Sequence, residues 1–313
     1  MIGDYSSGQI EYYDSLARTL IKAPKNLHNY GIISLKYLSY GFVASSSLDK
    51  TVNIWDPNTW SSIQVYNGHT DNVYGLDQID DDTIVSGSWD KTIHIWKIST
   101  GENIRIIPIG QPVNSVRVLL NGFQIACGLL SFSGELRIYN YSSGNYSVQT
   151  LYTHTMMVWS IEVLNEQYIA NGDANANVFI WDLETYSIKY KLKGHRDWVL
   201  CIKRISSNLL ASGDRDGLII IWNWLEGTLV HRLIGHTSEL SGSSLDLYDD
   251  QTLISGSKDT TIKFWNILNG TLIETTNTGI QIKALTIFNK GKFLFFNLNF
   301  DHLLHFKLNR KLK

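Results

Sequence analysis

One motif returns along this chain at a nearly fixed interval, and that interval limits what the chain can fold into. The segments "SSSLDKTVNIWD" (45–56), "SGSWDKTIHIWK" (86–97), "NGDANANVFIWD" (171–182), "SGDRDGLIIIWN" (212–223) and "SGSKDTTIKFWN" (255–266) align without gaps. Weaker copies are "SFSGELRIYN" (131–140) and "NLNFDHLLHFKL" (297–308). Their landmark position falls at Trp55, Trp96, Tyr139, Trp181, Trp222, Trp265 and Lys307, at intervals of 41 to 43 residues. A period of this size marks an array of small units that bury a core only by stacking on one another.

Each unit reads as strands. "TVNIW" and "TIHIW" alternate apolar and polar residues with many β-branched types, and "NVYGLDQI", "TIVSG" and "SIQVYNG" supply further short runs. Four strands per unit result, with turns marked by Asp, Gly, Asn and Ser. A lone four-stranded sheet cannot bury both faces, whereas sheets packed radially about an axis can. The expected fold is therefore all-β, a seven-bladed propeller of four-stranded antiparallel blades over residues 15–308. Closure is expected from residues 15–22 pairing with the last blade. Residues 1–14 read as a partial repeat or the remnant of a longer N-terminus, because "SGQIEYYD" mirrors "SGELRIYN", and 309–313 as a tail. The alternative is eight blades with an incomplete first one.

The stretches "GHTDNV…IVSGSWDKTIHIW" and "GHRDWV…LASGDRDGLIIIW" resemble WD40 repeats, and the resemblance covers nearly the whole chain. It implies a hydrogen-bonded set in each good blade. These sets would be His28, Ser45, Asp49 and Trp55; His69, Ser86, Asp90 and Trp96; His195, Ser212, Asp216 and Trp222; and His236, Ser255, Asp259 and Trp265. The fourth unit keeps His154 and Trp181 but carries Asn171 and Asn175; the third, with Gln111, Ser133 and Tyr139, and the seventh, with Thr278, Asp301 and Lys307, have mostly lost the set.

Recurrence also disposes of the nearest catalytic suspicion. A Ser–His–Asp trio can run nucleophilic hydrolysis, but four copies, one per good repeat, are what a folding motif produces. No phosphate-cradling glycine loop is present. His302 and His305 are three apart on an expected strand and point to opposite faces. Cys127 and Cys201 lie in apolar strands, where a buried thiol is inert. Neither an enzyme, a cofactor nor a metal site is expected. Net charge is −2 with no block of like charge, which argues against nucleic acid as a general partner. No run approaches the length of a membrane helix, and the N-terminus has no signal-peptide pattern. A cytoplasmic or nuclear location is the expectation.

What remains is the propeller face from which the inner strands start. Three positions per repeat are free of folding duty there. They place Tyr74, Trp89, Phe132, Met157, Trp159 and Trp198 in consecutive repeats, followed by Arg215, Lys258 and Lys283. Trp96 recurs because each blade needs its anchor. Trp89 has no counterpart, and Trp, Tyr and Arg dominate binding hot spots. The expectation is an aromatic arc running into a basic one, taking a peptide or protein that is apolar and acidic or phosphorylated. Similarity to F-box-type WD40 propellers implies an adaptor that recognises substrates for ubiquitination, although these residues include no F-box. The alternative is an architectural subunit that uses its blade sides and edges.

Overall fold

A computed structural model describes residues 10–14, 19–22, 28–141, 148–152, 156–289 and 292–297. Six four-stranded antiparallel sheets follow one another along the chain, over residues 32–66, 73–108, 113–152, 158–193, 199–233 and 245–277. We number them blades 1 to 6. Each inner strand packs on the next, and the strand Ile282–Asn289 packs on both blade 6 and Ile32–Tyr37, which closes the ring of a β-propeller.

The blade assignment read from the repeats needs correction. Six blades come each from one continuous run of chain, not seven and not eight. The remaining four-stranded sheet is composite: Ile282–Asn289, Lys292–Asn297, Ile10–Asp14 and Thr19–Lys22, from the axis outward. Two strands thus come from each end of the chain, rather than one from the head and three from 281–308. Residues 10–14 are the third strand of this sheet rather than part of an eighth blade, since Tyr13 pairs with Phe293 on one side and Leu20 on the other. Tyr13 holds the landmark place once assigned to Lys307. Asp301, His302, His305, Lys307 and the tail 309–313 lie outside the described residues.

The repeated Ser-Gly has a packing cause. A Cβ on Gly172 would stand 2.6 Å from Val199 Cγ1 and 2.7 Å from the Val199 carbonyl oxygen. Only glycine lets the neighbouring blade approach that closely.

The hydrogen-bonded sets form with two departures. His28 Nε2 lies 2.8 Å from Ser45 Oγ and its Nδ1 3.0 Å from Asp49. His69 reaches Ser86 and Asp90, and His236 reaches Ser255 and Asp259, at 2.7–2.8 Å. The Trp222 and Trp265 indoles each donate to the blade's serine at 2.7 Å, and Trp181 donates to Asn171 instead. Burial opposes the Asp49 charge, but hydrogen bonds from His28 and Thr51 hold its carboxyl down at about 2. In blade 1 the Trp55 ring stacks on Trp60 at 5.5 Å.

The first departure is in blade 5. His195 Nδ1 pairs with Asp214 at 2.8 Å, and Asp216 is exposed. Asp214 replaces the serine that stands at Ser47, Ser88 and Ser257, two residues nearer the strand, so its carboxylate reaches the imidazole first. The second departure is shared by blades 1 and 2, where the buried Trp55 and Trp96 indole N–H groups do not reach the blade's serine. Trp96 lies flat against Tyr66, with centroids 4.6 Å apart.

A further belt holds the ring. The fifth residue of each inner strand, or its equivalent in blade 6, gives Lys36, Asp77, Arg117, Glu162, Lys203, Asp246 and Thr286. Charges alternate around the axis. Lys36 pairs with Asp77 at 2.7 Å, Arg117 with Glu162 at 3.5 Å and Lys203 with Asp246 at 2.7 Å. Each acid also accepts a backbone N–H from the next blade: Val118 on Asp77, Arg204 on Glu162 and Ile287 on Asp246. An odd ring cannot alternate throughout, because two like charges would meet at the seam. Neutral Thr286 occupies the odd place, in the composite blade.

Candidate binding face

Local geometry explains why the face residues stand out. Register shifts between Val73 and Gly75 and between Val158 and Ser160 leave Tyr74 and Trp159 as bulges on their inner strands. The same shift recurs at Asn114 and Lys283. A bulge breaks the in-and-out alternation and re-aims a side chain. The turn residues are brought beside them by one backbone bond per blade: Trp89 N–H to Asn72, Arg215 to Trp198 and Lys258 to Glu239.

These residues do not form one open arc. Tyr74 and Trp89, both half-buried, stack with centroids 4.6 Å apart and planes 7° from parallel. The Trp89 indole donates to Asn114 Oδ1 at 3.0 Å, and the Asn114 amide donates to the Val158 carbonyl at 3.1 Å. Trp159 stacks on Trp198 at 5.6 Å, and the Arg215 guanidinium lies 4.8 Å above the Trp198 ring, within cation–π range. One ladder therefore crosses blades 2 to 5. Burial first, then the Asp71 and Glu239 carboxylates, push the Tyr74 hydroxyl well above the usual tyrosine range. It stays neutral.

Four expected members stand outside the ladder. Met157 is buried. Phe132 is 63% exposed but does not share the Trp89 slot, which Leu130 fills by donating to the Pro112 carbonyl. The blade 3 turn is two residues longer, so Phe132 stands at its tip. Lys258 forms a 2.9 Å ion pair with Glu239, whose other oxygen accepts from Ser241. The expected basic arc is neutralised there. Lys283, half-buried, lies on the composite blade's inner strand. Arg215 has no acidic partner among the described residues. Asn114 and Glu239 are what the sequence reading passed over. Asn114 occupies the Tyr74 position of a weak repeat, which was the available signal.

Among the described residues one group has metal-ligand spacing: donor atoms of His69, Asp90 and His94 lie within 4.8 Å of one another. The 2.7 Å His69–Asp90 contact recurs as His28–Asp49 and His236–Asp259, where no third donor stands. It is the blade's own hydrogen bond. His94 stacks on His69 at 3.9 Å and meets the Tyr66 hydroxyl at 2.8 Å. Burial, then the His69 charge, pushes the His94 pKa down to about 4.

An unfolded histidine titrates near 6.5. Between there and about 4 the unfolded chain takes a proton that folded His94 refuses. Stability therefore falls as pH is lowered through that window, and recovers as pH rises. Thermal melts at pH 7.5, 5.5 and 4.5 should show a shallower decline for His94→Phe, the residue type blade 4 uses at Phe179. Parallel declines would remove His94 as the cause.

The match to a known family now has its geometry. The WD domain, G-beta repeat family (WD40) matches residues 26–56, 60–97, 186–223 and 227–266. The chain carries WD40 repeats. They fall on blades 1, 2, 5 and 6 and on the outer strand of blade 4, Ser187–Lys193, while blade 3 and the rest of blade 4 lie outside the matched residues. No curated protein matches the chain. WD40 propellers are typical protein-interaction scaffolds and generally non-catalytic.

Proposed function

We propose that this propeller is a non-catalytic scaffold that takes a peptide or protein segment on the face bearing Tyr74, Trp89, Trp159, Trp198 and Arg215. The supporting observation is the ladder itself. Four large aromatic rings are held half-exposed in two stacks, fixed through Asn114, at positions the blades do not need for folding. Rigid aromatics of this kind contribute contact area at low entropy cost. The partner carries an apolar or aromatic anchor for the stacks and an acidic or phosphorylated group for Arg215. Lys258 adds little while it is paired with Glu239. Substrate recognition for ubiquitination is one setting for such a scaffold, supported by likeness to F-box-type propellers and by no feature of the face.

The architectural reading has its own support, since outer strands expose Ile104, Ile106, Leu272 and Ile273. A tagged pull-down decides between them. Wild type is compared with a Trp89→Ala, Trp159→Ala, Arg215→Ala variant whose fold is confirmed by circular dichroism. A partner lost from the variant is the expected result. Identical capture by both moves the working surface to the blade sides.

A further inference from the structure

On the opposite end of the propeller, the loops of blades 1 and 2 enclose an open groove of about 290 Å³. Its lining is mostly apolar: Leu38 and Ile98 are buried at the floor, Phe42 is half-buried, and Ile63 and Tyr40 stand 44% and 66% exposed. Asp81 and Asp82 form one lip. The Asp81 carboxylate accepts from the Ser39 hydroxyl at 2.8 Å and the Tyr40 hydroxyl at 2.9 Å. The Asp82 carboxylate accepts from the Ser99 hydroxyl at 2.7 Å and its N–H at 2.8 Å.

All of those donors are neutral. They fix the carboxylates in place and lower both pKa values, the Ser39 hydroxyl leading at Asp81 and the Ser99 hydroxyl at Asp82. They do not cancel the charge. Lys97 acts on Asp82 through space, with no ion-pair contact among the described residues. Asp80, exposed like Asp81, adds a third acid to the same loop. The belt acid Asp77, by contrast, has its cations in hand. An apolar groove beside fixed, uncompensated negative charge is complementary to one kind of chain.

We propose that this groove docks a basic segment of a protein partner, one bulky aliphatic or aromatic side chain seating between Tyr40 and Ile63 while flanking arginines meet Asp81 and Asp82. Apolar burial supplies affinity, and the carboxylates set specificity and approach. The site is separate from the aromatic face and does not depend on it.

Fluorescence polarisation with two labelled peptides tests this, one with the core Arg-Leu-Phe-Arg and one with Glu-Leu-Phe-Glu. The arginine peptide should bind at least about tenfold tighter, and less tightly as salt rises. Asp81→Asn with Asp82→Asn should weaken it about tenfold, and Ile63→Glu, on the exposed lip, should abolish it. Trp89→Ala with Trp159→Ala should leave it unchanged. Equal binding of the two peptides, or indifference to both groove variants, overturns the proposal. So does sedimentation of the chain as a dimer that Ile63→Glu dissolves, which would make the groove a self-interface. If the double aspartate variant fails to fold, Ile63→Glu and Tyr40→Phe carry the test.

Discussion

Asp214→Ala should destabilise the propeller by roughly 3–5 kcal/mol, because it removes the buried acceptor of three hydrogen bonds. The neighbouring Asp216→Ala should stay within about 0.5 kcal/mol, as surface changes do. Asp214 is fully buried and accepts from His195 Nδ1 at 2.8 Å and from the N–H groups of Asp216 and Leu218 at 3.0 and 2.9 Å. Truncation strands all three donors, and each orphan costs about 1–3 kcal/mol in a site that water does not reach. Asp216 is exposed and its loss strands nothing comparable. Urea unfolding measures the difference, and hydrogen exchange should localise it to residues 199–233. The repeat pattern alone would assign the opposite order, with Asp216 the costly one. Equal effects would mean that the two carboxylates share the imidazole.

Asp77→Ala should cost roughly 2–4 kcal/mol. Burial works against the Asp77 charge, but Lys36 and Arg117 on either side keep its carboxyl below the usual range, and Val118 N–H donates to it at 2.8 Å. Without it that N–H is orphaned between blades. The two cations retreat towards water at lower cost, since the Lys36 side chain is 39% exposed and Arg117 26%. Asp77→Asn keeps an acceptor for Val118 and should recover about half the loss. The Thr286 position adds a sign test. Thr286→Lys places a cation beside Asp246 but also beside Lys36 at the seam, so any stabilisation should be much smaller than the loss from Asp77→Ala. If Thr286→Lys raises the urea midpoint as strongly as Asp77→Ala lowers it, the seam argument fails.

The strand content, the four-per-blade plan and the role of the recurring Trp were legible because they depend on period-two patterning and a landmark spacing, both local properties. The candidate face was legible in part. Tyr74, Trp89, Trp159 and Trp198 stand where their repeat positions put them, but their pairing into two stacks depends on bulges and on Asn114, which belongs to another blade. Phe132 was misplaced because a turn two residues longer keeps the same strand pattern on either side. Lys258 read as a free cation because its acid, Glu239, is 19 residues away in a weakly patterned segment.

The sequence by itself determined a ring of four-stranded blades, since no isolated copy of a 42-residue, four-strand unit can cover its own apolar faces. Tertiary structure decided how the ring ends. Tyr13 carries the landmark, yet only pairing with Phe293, far away along the chain, shows that residues 10–14 complete the last sheet. It also decided which of two aspartates holds His195, and assembled the charge belt from residues about 40 apart. A periodic sequence specifies what each unit needs. Which neighbour supplies it is settled by distance in space, and a repeat pattern carries no record of that.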